Sequence, residues 1–126
     1  MRRTDQRRAA VFALYQSEVT GREPGDQLDE DATAFTRELV DGSTANRAEL
    51  DELISRYSHG WSLDRIAPLE RNIMRVALYE LLHRPDVPAE VAIDEAVEAA
   101  KELCSADAPK FVNGILGAVE REEVAG

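Results

Sequence analysis

The first eight residues hold Arg2, Arg3, Arg7 and Arg8 against one acid, Asp5. Guanidinium groups match phosphate well, because their planar fork of N–H donors grips two oxygens at once. Arg3 and Arg7 are four residues apart, so on a helix they share a face, one turn from each other. Tyr15 follows two turns beyond Arg7, where an aromatic ring either joins a core or offers a flat surface to a base. Arginines on phosphates with rings on bases is the chemistry of single-stranded RNA recognition. The same cluster also fits a solvated, partly disordered basic end. The net charge of −10 opposes tight, unaided nucleic-acid binding, so contact with RNA would rest on this local charge or on a basic partner.

Other chemistry is hard to find. His59 and His83 have no cysteine or second histidine spaced for tetrahedral zinc, and each falls at an expected helix end, where an imidazolium helps satisfy carbonyls. Cys104 is the one cysteine; it excludes an internal disulfide, suits a reducing cytosol and reads as a small hydrophobe. Asp94, Glu95, Glu98 and Glu102 read as a solvated acidic face, since nothing in the pattern would hold one of them neutral. There is no phosphate-cradling glycine loop and no nucleophile elbow. The expectation is a protein that is not an enzyme and that uses no cofactor or metal.

The elements that must position these residues are all helical. Apolar residues at Val11, Phe12, Leu14, Tyr15 and Val19 form a stripe over residues 5–20, with Gly21 as the stop. Residues 28–57 read as one long helix with a weak centre or as two helices broken near Gly42; the in-phase spacing on both sides favours continuity. Ser62 is placed to cap a short helix through Ile66. Pro68 then opens a helix whose Leu69, Ile73, Met74, Val76, Ala77, Leu78, Leu81 and Leu82 cover most of its circumference, as in a buried central helix. Pro85 and Pro88 bracket a break. An alanine-rich helix to about Leu103 and a last helix carrying Phe111, Val112, Ile115, Leu116 and Val119 complete the chain. The fold class is all-α, a bundle of about six to seven helices in one domain, residues 1–126. No window approaches the ~20 apolar residues of a membrane span, and the opening arginines lack the apolar run of a secretory signal; a cytoplasmic protein is expected.

Three segments carry a resemblance. They are RRAAVFALYQ from Arg7; ERNIMRVALYEL from Glu70, running into DVPAEVAIDEAVEAAKEL from Asp86; and Ala106 to Gly114, which includes KFVNG. In this order and spacing they resemble the NusB family over nearly the whole chain, most weakly between Gly21 and Phe35. The resemblance implies two packed three-helix sub-bundles and no enzymatic activity. It also implies a transcription antitermination factor that binds boxA RNA as a heterodimer with NusE, a small-subunit ribosomal protein, alongside other Nus factors in the elongation complex. Some relatives form homodimers.

It further implies which residues touch what. RNA contacts fall on Arg2, Arg3, Arg7, Arg8, Tyr15, Lys110 and Phe111, and NusE contacts on Glu80, Asp107 and Phe111. Each has a plainer reading: Glu80 as a snorkelling surface charge, Phe111 as core, Asp107 as a helix cap. Asn113 is expected to bond buried backbone, and Gly114 to let a neighbouring helix approach. Asp5 stands among the arginines and opposes phosphate binding there. Two other readings are the RNA-binding module of a ribosomal RNA cytosine methyltransferase, disfavoured because no second domain follows, and a helical interaction protein that never meets nucleic acid.

Overall fold

The computed structural model describes residues 2–125. Six α-helices span Arg3–Thr20 (α1), Ala34–Ala45 (α2), Arg47–Tyr57 (α3), Pro68–His83 (α4), Ala89–Leu103 (α5) and Ala108–Val119 (α6). Short 3-10 turns at Pro24–Gln27 and Leu63–Arg65 join them, and a π turn at Glu120–Val124 follows α6. There is no strand among the described residues, and the all-α expectation holds.

The middle of the molecule is α4, which packs against all five other helices. Its run from Asn72 to Leu78 is buried without interruption, as a helix apolar nearly all round requires. Around it α1 pairs with α2, α5 pairs with α6, and α3 bridges α4 and α6. Ala92, Ala96, Ala99 and Ala100 make the buried stripe of α5, where small side chains let helices approach closely.

Three sequence expectations change here. The segment expected to run continuously to Tyr57 is broken, and the break lies at Asn46 rather than near Gly42. The Asn46 side-chain amide and backbone N–H both donate to the Gly42 carbonyl, at 2.8 and 3.0 Å, and end α2 there. One interrupting residue barely shifts the apolar phase, which is why the spacing read as continuous. Gly42 instead serves close packing, because a Cβ at that position would collide with the Tyr79 ring, so glycine lets α2 reach α4. The start of that segment is also shorter than expected, because Thr33 caps α2 through a bond from the Thr36 N–H. Ser62 precedes the 3-10 turn but makes no side-chain cap. Gly21 behaves as expected, left-handed at φ 75° with its N–H on the Ser17 carbonyl.

Candidate nucleic-acid interface

The four arginines at the start of α1 meet different fates. Arg2 is exposed and reaches Asp5 only at 3.5 Å. Arg3 is exposed, with its guanidinium carbon 3.8 Å from the centre of the Phe35 ring. Arg7 is 8% exposed and gives Nε and a terminal nitrogen to the two carboxylate oxygens of Glu80, at 2.8 and 2.9 Å. Arg8 is half-buried and bonds Glu102, near the end of α5, at 2.6 Å. Thr4 donates to Glu95 of α5 at 2.9 Å. One end of α1 is therefore laced to α4 and α5 by its polar side chains.

This geometry corrects the readings of Arg7 and Glu80. Glu80 is 1% exposed, neither a snorkelling surface charge nor a carboxylate offered to a partner. Both its oxygens are taken by Arg7, and Arg7 in turn shows no free fork to a phosphate. Burial works against the charge on Arg7, but the hydrogen bonds and charge of Glu80 outweigh it and hold the guanidinium protonated. The spacing of Arg3 and Arg7 placed them on one face correctly. It could not say which of them meets an acid 73 residues away.

A second surface lies at the start of α6. Phe111 is half-buried and stands edge-on to Trp61, with centroids 6.2 Å apart at 68°. Trp61 is 53% exposed. On one side of this pair is an open pocket of about 340 Å³ lined by Arg65, Glu70 and Asp107 among others. On the other side a second pocket, about 290 Å³, is lined by Tyr57, His59, Lys110 and Gly114. Glu70 is half-buried, and burial pushes its carboxyl above the usual range. Lys110 is exposed at the first turn of α6, where unpaired N–H groups favour anions.

Three expectations about this corner fail. Asp107 occupies the capping position, but its backbone is helical and its side chain caps nothing; it is exposed at the pocket. Gly114 meets no neighbouring atom within 4 Å of a would-be Cβ, and Asn113 is exposed, so neither is a packing residue. Both belong to the open face of α6. Tyr15 is half-buried on α1. Trp61 was missed by sequence reasoning; a lone tryptophan in a short polar connection was its available signal. Phe35 and Arg84 were missed for the same positional reason as Glu80, since their roles depend on contacts distant in sequence.

The two surfaces are connected. Arg8 bonds Glu102 in the last turn of α5, and the chain then turns at once into α6. No group of three or more His, Cys, Asp or Glu converges on a metal-sized site among the described residues. No helix there is long and apolar enough to cross a membrane.

Fold and surface together define a small all-helical module with one basic end and one aromatic corner. The NusB family model matches residues 4–121, and the chain belongs to that family. It is 41% identical over 138 residues to the transcription antitermination protein NusB of Symbiobacterium thermophilum, covering 96% of this chain and 90% of the relative. Among solved structures it resembles T. maritima NusB at a TM-score of 0.89 and 38% identity, covering 98% of this chain and 94% of that one. It also resembles a chain in the crystal structure of antitermination factors NusB and NusE in complex with dsRNA. That likeness has a TM-score of 0.83 and 27% identity, covering 94% of this chain and 96% of that one.

Proposed function

We propose that this chain is a transcription antitermination factor. It binds boxA-type leader RNA as a heterodimer with NusE and supports processive transcription of ribosomal RNA operons with the other Nus factors. It works in the cytoplasm as a single domain, and it binds without catalysing a reaction. The observation that carries the RNA reading is the exposed Trp61 paired with Phe111 beside Lys110, a stacking surface with a cation at its edge. Arg2, Arg3 and Arg8 supply phosphate contacts along α1, with Tyr15 two turns further on. Asp107 and Phe111 form the partner's edge of the corner. Arg7 and Glu80 contribute by fixing α1 on α4.

The acidic body assigns NusE its part. A chain of net charge −10 needs basic surface from its partner to hold a polyanion. The test is co-elution of this protein with NusE, followed by retention of boxA-type RNA by the pair and by each protein alone. The pair is expected to bind RNA more tightly than this chain alone. By linkage, RNA then tightens the pairing by the same factor. Equal RNA affinity with and without NusE would remove the partner from the reading, and no retention by the pair would remove the RNA.

A further inference from the structure

Phe35 is the second residue of α2 and is 7% exposed, yet its ring is not surrounded by apolar groups alone. Three guanidinium carbons approach its centre, those of Arg3 at 3.8 Å, Arg84 at 5.2 Å and Arg7 at 5.4 Å. Two of these cations are held elsewhere in their own plane. Arg7 is forked onto Glu80, and Arg84 bonds Glu38 at 2.7 Å and Asp86 at 2.9 and 2.8 Å. The Arg3 guanidinium makes no hydrogen bond among the described residues, feels the charge of Asp86 at longer range and remains exposed. The acids Glu80, Glu38 and Asp86 balance the local charge, so three cations can gather at one ring without driving Arg3 away. Contact through its face restrains a side chain that otherwise carries large rotamer freedom, while its edge donors stay open.

We propose that Phe35 is a positioning residue for phosphate recognition: it holds the Arg3 guanidinium by its face and leaves the edge N–H donors to a phosphate of single-stranded RNA. This rests on the RNA-binding reading above. Pre-ordering removes entropy that Arg3 would otherwise lose on binding, so the aromatic ring improves affinity without touching RNA.

The test titrates boxA-type RNA against the NusE heterodimer at several salt concentrations. The proteins are wild type, Phe35→Leu, Phe35→Tyr, Arg3→Ala and the Phe35→Leu/Arg3→Ala double variant, each at a temperature where it is folded. Phe35→Leu is expected to weaken binding about two- to fivefold, the worth of an exposed cation–π contact. It should also flatten the log–log salt slope by up to about 0.7, one phosphate contact on a single strand. Phe35→Tyr restores both, and Phe35→Leu adds nothing in the Arg3→Ala background. A purely structural Phe35 would lower the folded fraction and leave the slope alone. Should Arg3→Ala flatten the slope while Phe35→Leu does not, positioning is wrong and the RNA reading stands. An unaltered slope in Arg3→Ala removes Arg3 from the phosphates and the proposal with it. If Phe35→Leu does not fold, proton NMR of the wild-type heterodimer decides. The Arg3 δ-methylene protons should be shifted upfield by the ring and stay shifted when RNA binds. Loss of that shift in the complex means Arg3 leaves the ring to reach RNA, which overturns positioning.

Discussion

The two ends of α1 carry charge of the wrong sign for the helix dipole, and the molecule treats them differently. A helix favours acids at its start and bases at its end. Here the N-cap and first two turns hold Arg2, Arg3, Arg7 and Arg8 against the single acid Asp5, and the last turn holds Glu18 with no base beside it. At the C-terminal end the conflict is closed off. Glu18 accepts from Arg71 at 2.6 Å, from Arg75, and from the Asn72 side chain at 3.2 Å, all on α4. Arg75, 3% exposed, also forks onto Asp51 of α3 at 2.7 and 3.1 Å. Every member of that network bonds another, with only the buried Arg71 Nε left unpaired, and it ties three helices together. At the N-terminal end the closure is partial: Arg7 is sealed by Glu80 and Arg8 is met by an exposed acid, while Arg3 lies over a ring and feels the charge of Asp86 without a hydrogen bond to it. Local rules broken without full compensation mark functional surface more often than structural surface. By that criterion α1 offers RNA its first two turns and nothing from its last.

The sharpest way to break this comparison is at its sealed N-terminal pair. Glu80→Ala leaves a guanidinium in a site 8% exposed with no hydrogen-bonded acid and only the longer-range charge of Glu95. Losing one partner of a buried pair costs about 3–5 kcal/mol, so chemical denaturation should show one of the largest single-site losses in the chain. The double variant Arg7→Met/Glu80→Leu should recover most of it, because well-packed apolar groups replace such pairs at little cost. A loss under about 1 kcal/mol would mean that Arg7 swings out to solvent, and it would then rejoin the phosphate-binding arginines.

The C-terminal end should respond less, and only in stability. Glu18→Gln keeps an acceptor but loses charge-assisted bonds to Arg71 and Arg75, an expected cost of about 1.5–3 kcal/mol with RNA affinity unchanged. The pH dependence follows from the same contacts. Burial pushes the Glu18 carboxyl up, but the hydrogen bonds from Arg71 and Arg75 and their charges more than offset this and hold it below its usual range. A depressed pKa in the folded state gives stability that is fully present above the unfolded value, about 4.3, and lost as pH falls through the folded value. Asp86, pushed down to about 2 chiefly by its hydrogen bond from Arg84, drains stability over the same acid range. Urea denaturation from pH 3 to 7 should therefore show a gentler acid limb in Glu18→Gln than in wild type, the difference isolating Glu18. Parallel limbs would mean that Glu18 is no more than a spectator of Arg75 and Asp51.

The sequence made the helices and their buried faces readable, because apolar spacing is a local signal. The circumference of α4, the alanine stripe of α5 and the stop at Gly21 all follow from neighbours a few residues away. What it hid was decided at long range. LYEL shows a charge on an apolar helix, but only the arrival of Arg7 makes Glu80 internal. Asn113 and Gly114 of KFVNG read as packing residues, yet both are exposed and Gly114 faces open space. Gly42 looks like a helix break until Tyr79 is set beside it. The candidate site was half legible for the same reason: residue types named Arg3, the family resemblance named Lys110 and Phe111, and only the fold could separate Arg3 from Arg7 or add Trp61 and Phe35.

The smallest expected effect tests whether Arg8 belongs to the open or the sealed part of the N-terminal end of α1. Its partner Glu102 keeps 60% of its side-chain surface in solvent, so the pair is a surface ion pair despite its 2.6 Å length. Such pairs contribute about 0.2–1 kcal/mol, which Arg8 must give up if it turns to a phosphate. Glu102→Ala removes that cost in advance and also removes a negative charge from the RNA's path. Stability should fall by no more than about 1 kcal/mol, while RNA affinity of the NusE heterodimer rises about 1.4- to fivefold at low salt. The gain should shrink as salt is raised, since exposed charges are screened. A control, Glu98→Ala, removes an exposed acid from the same helix that pairs with Lys101 and not with Arg8. If both variants gain equally, the effect is the general field of α5 and says nothing of Arg8. If Glu102→Ala gains nothing, Arg8 stays paired in the complex, and Arg3 is left with Arg2 as the phosphate-binding arginines at the start of α1.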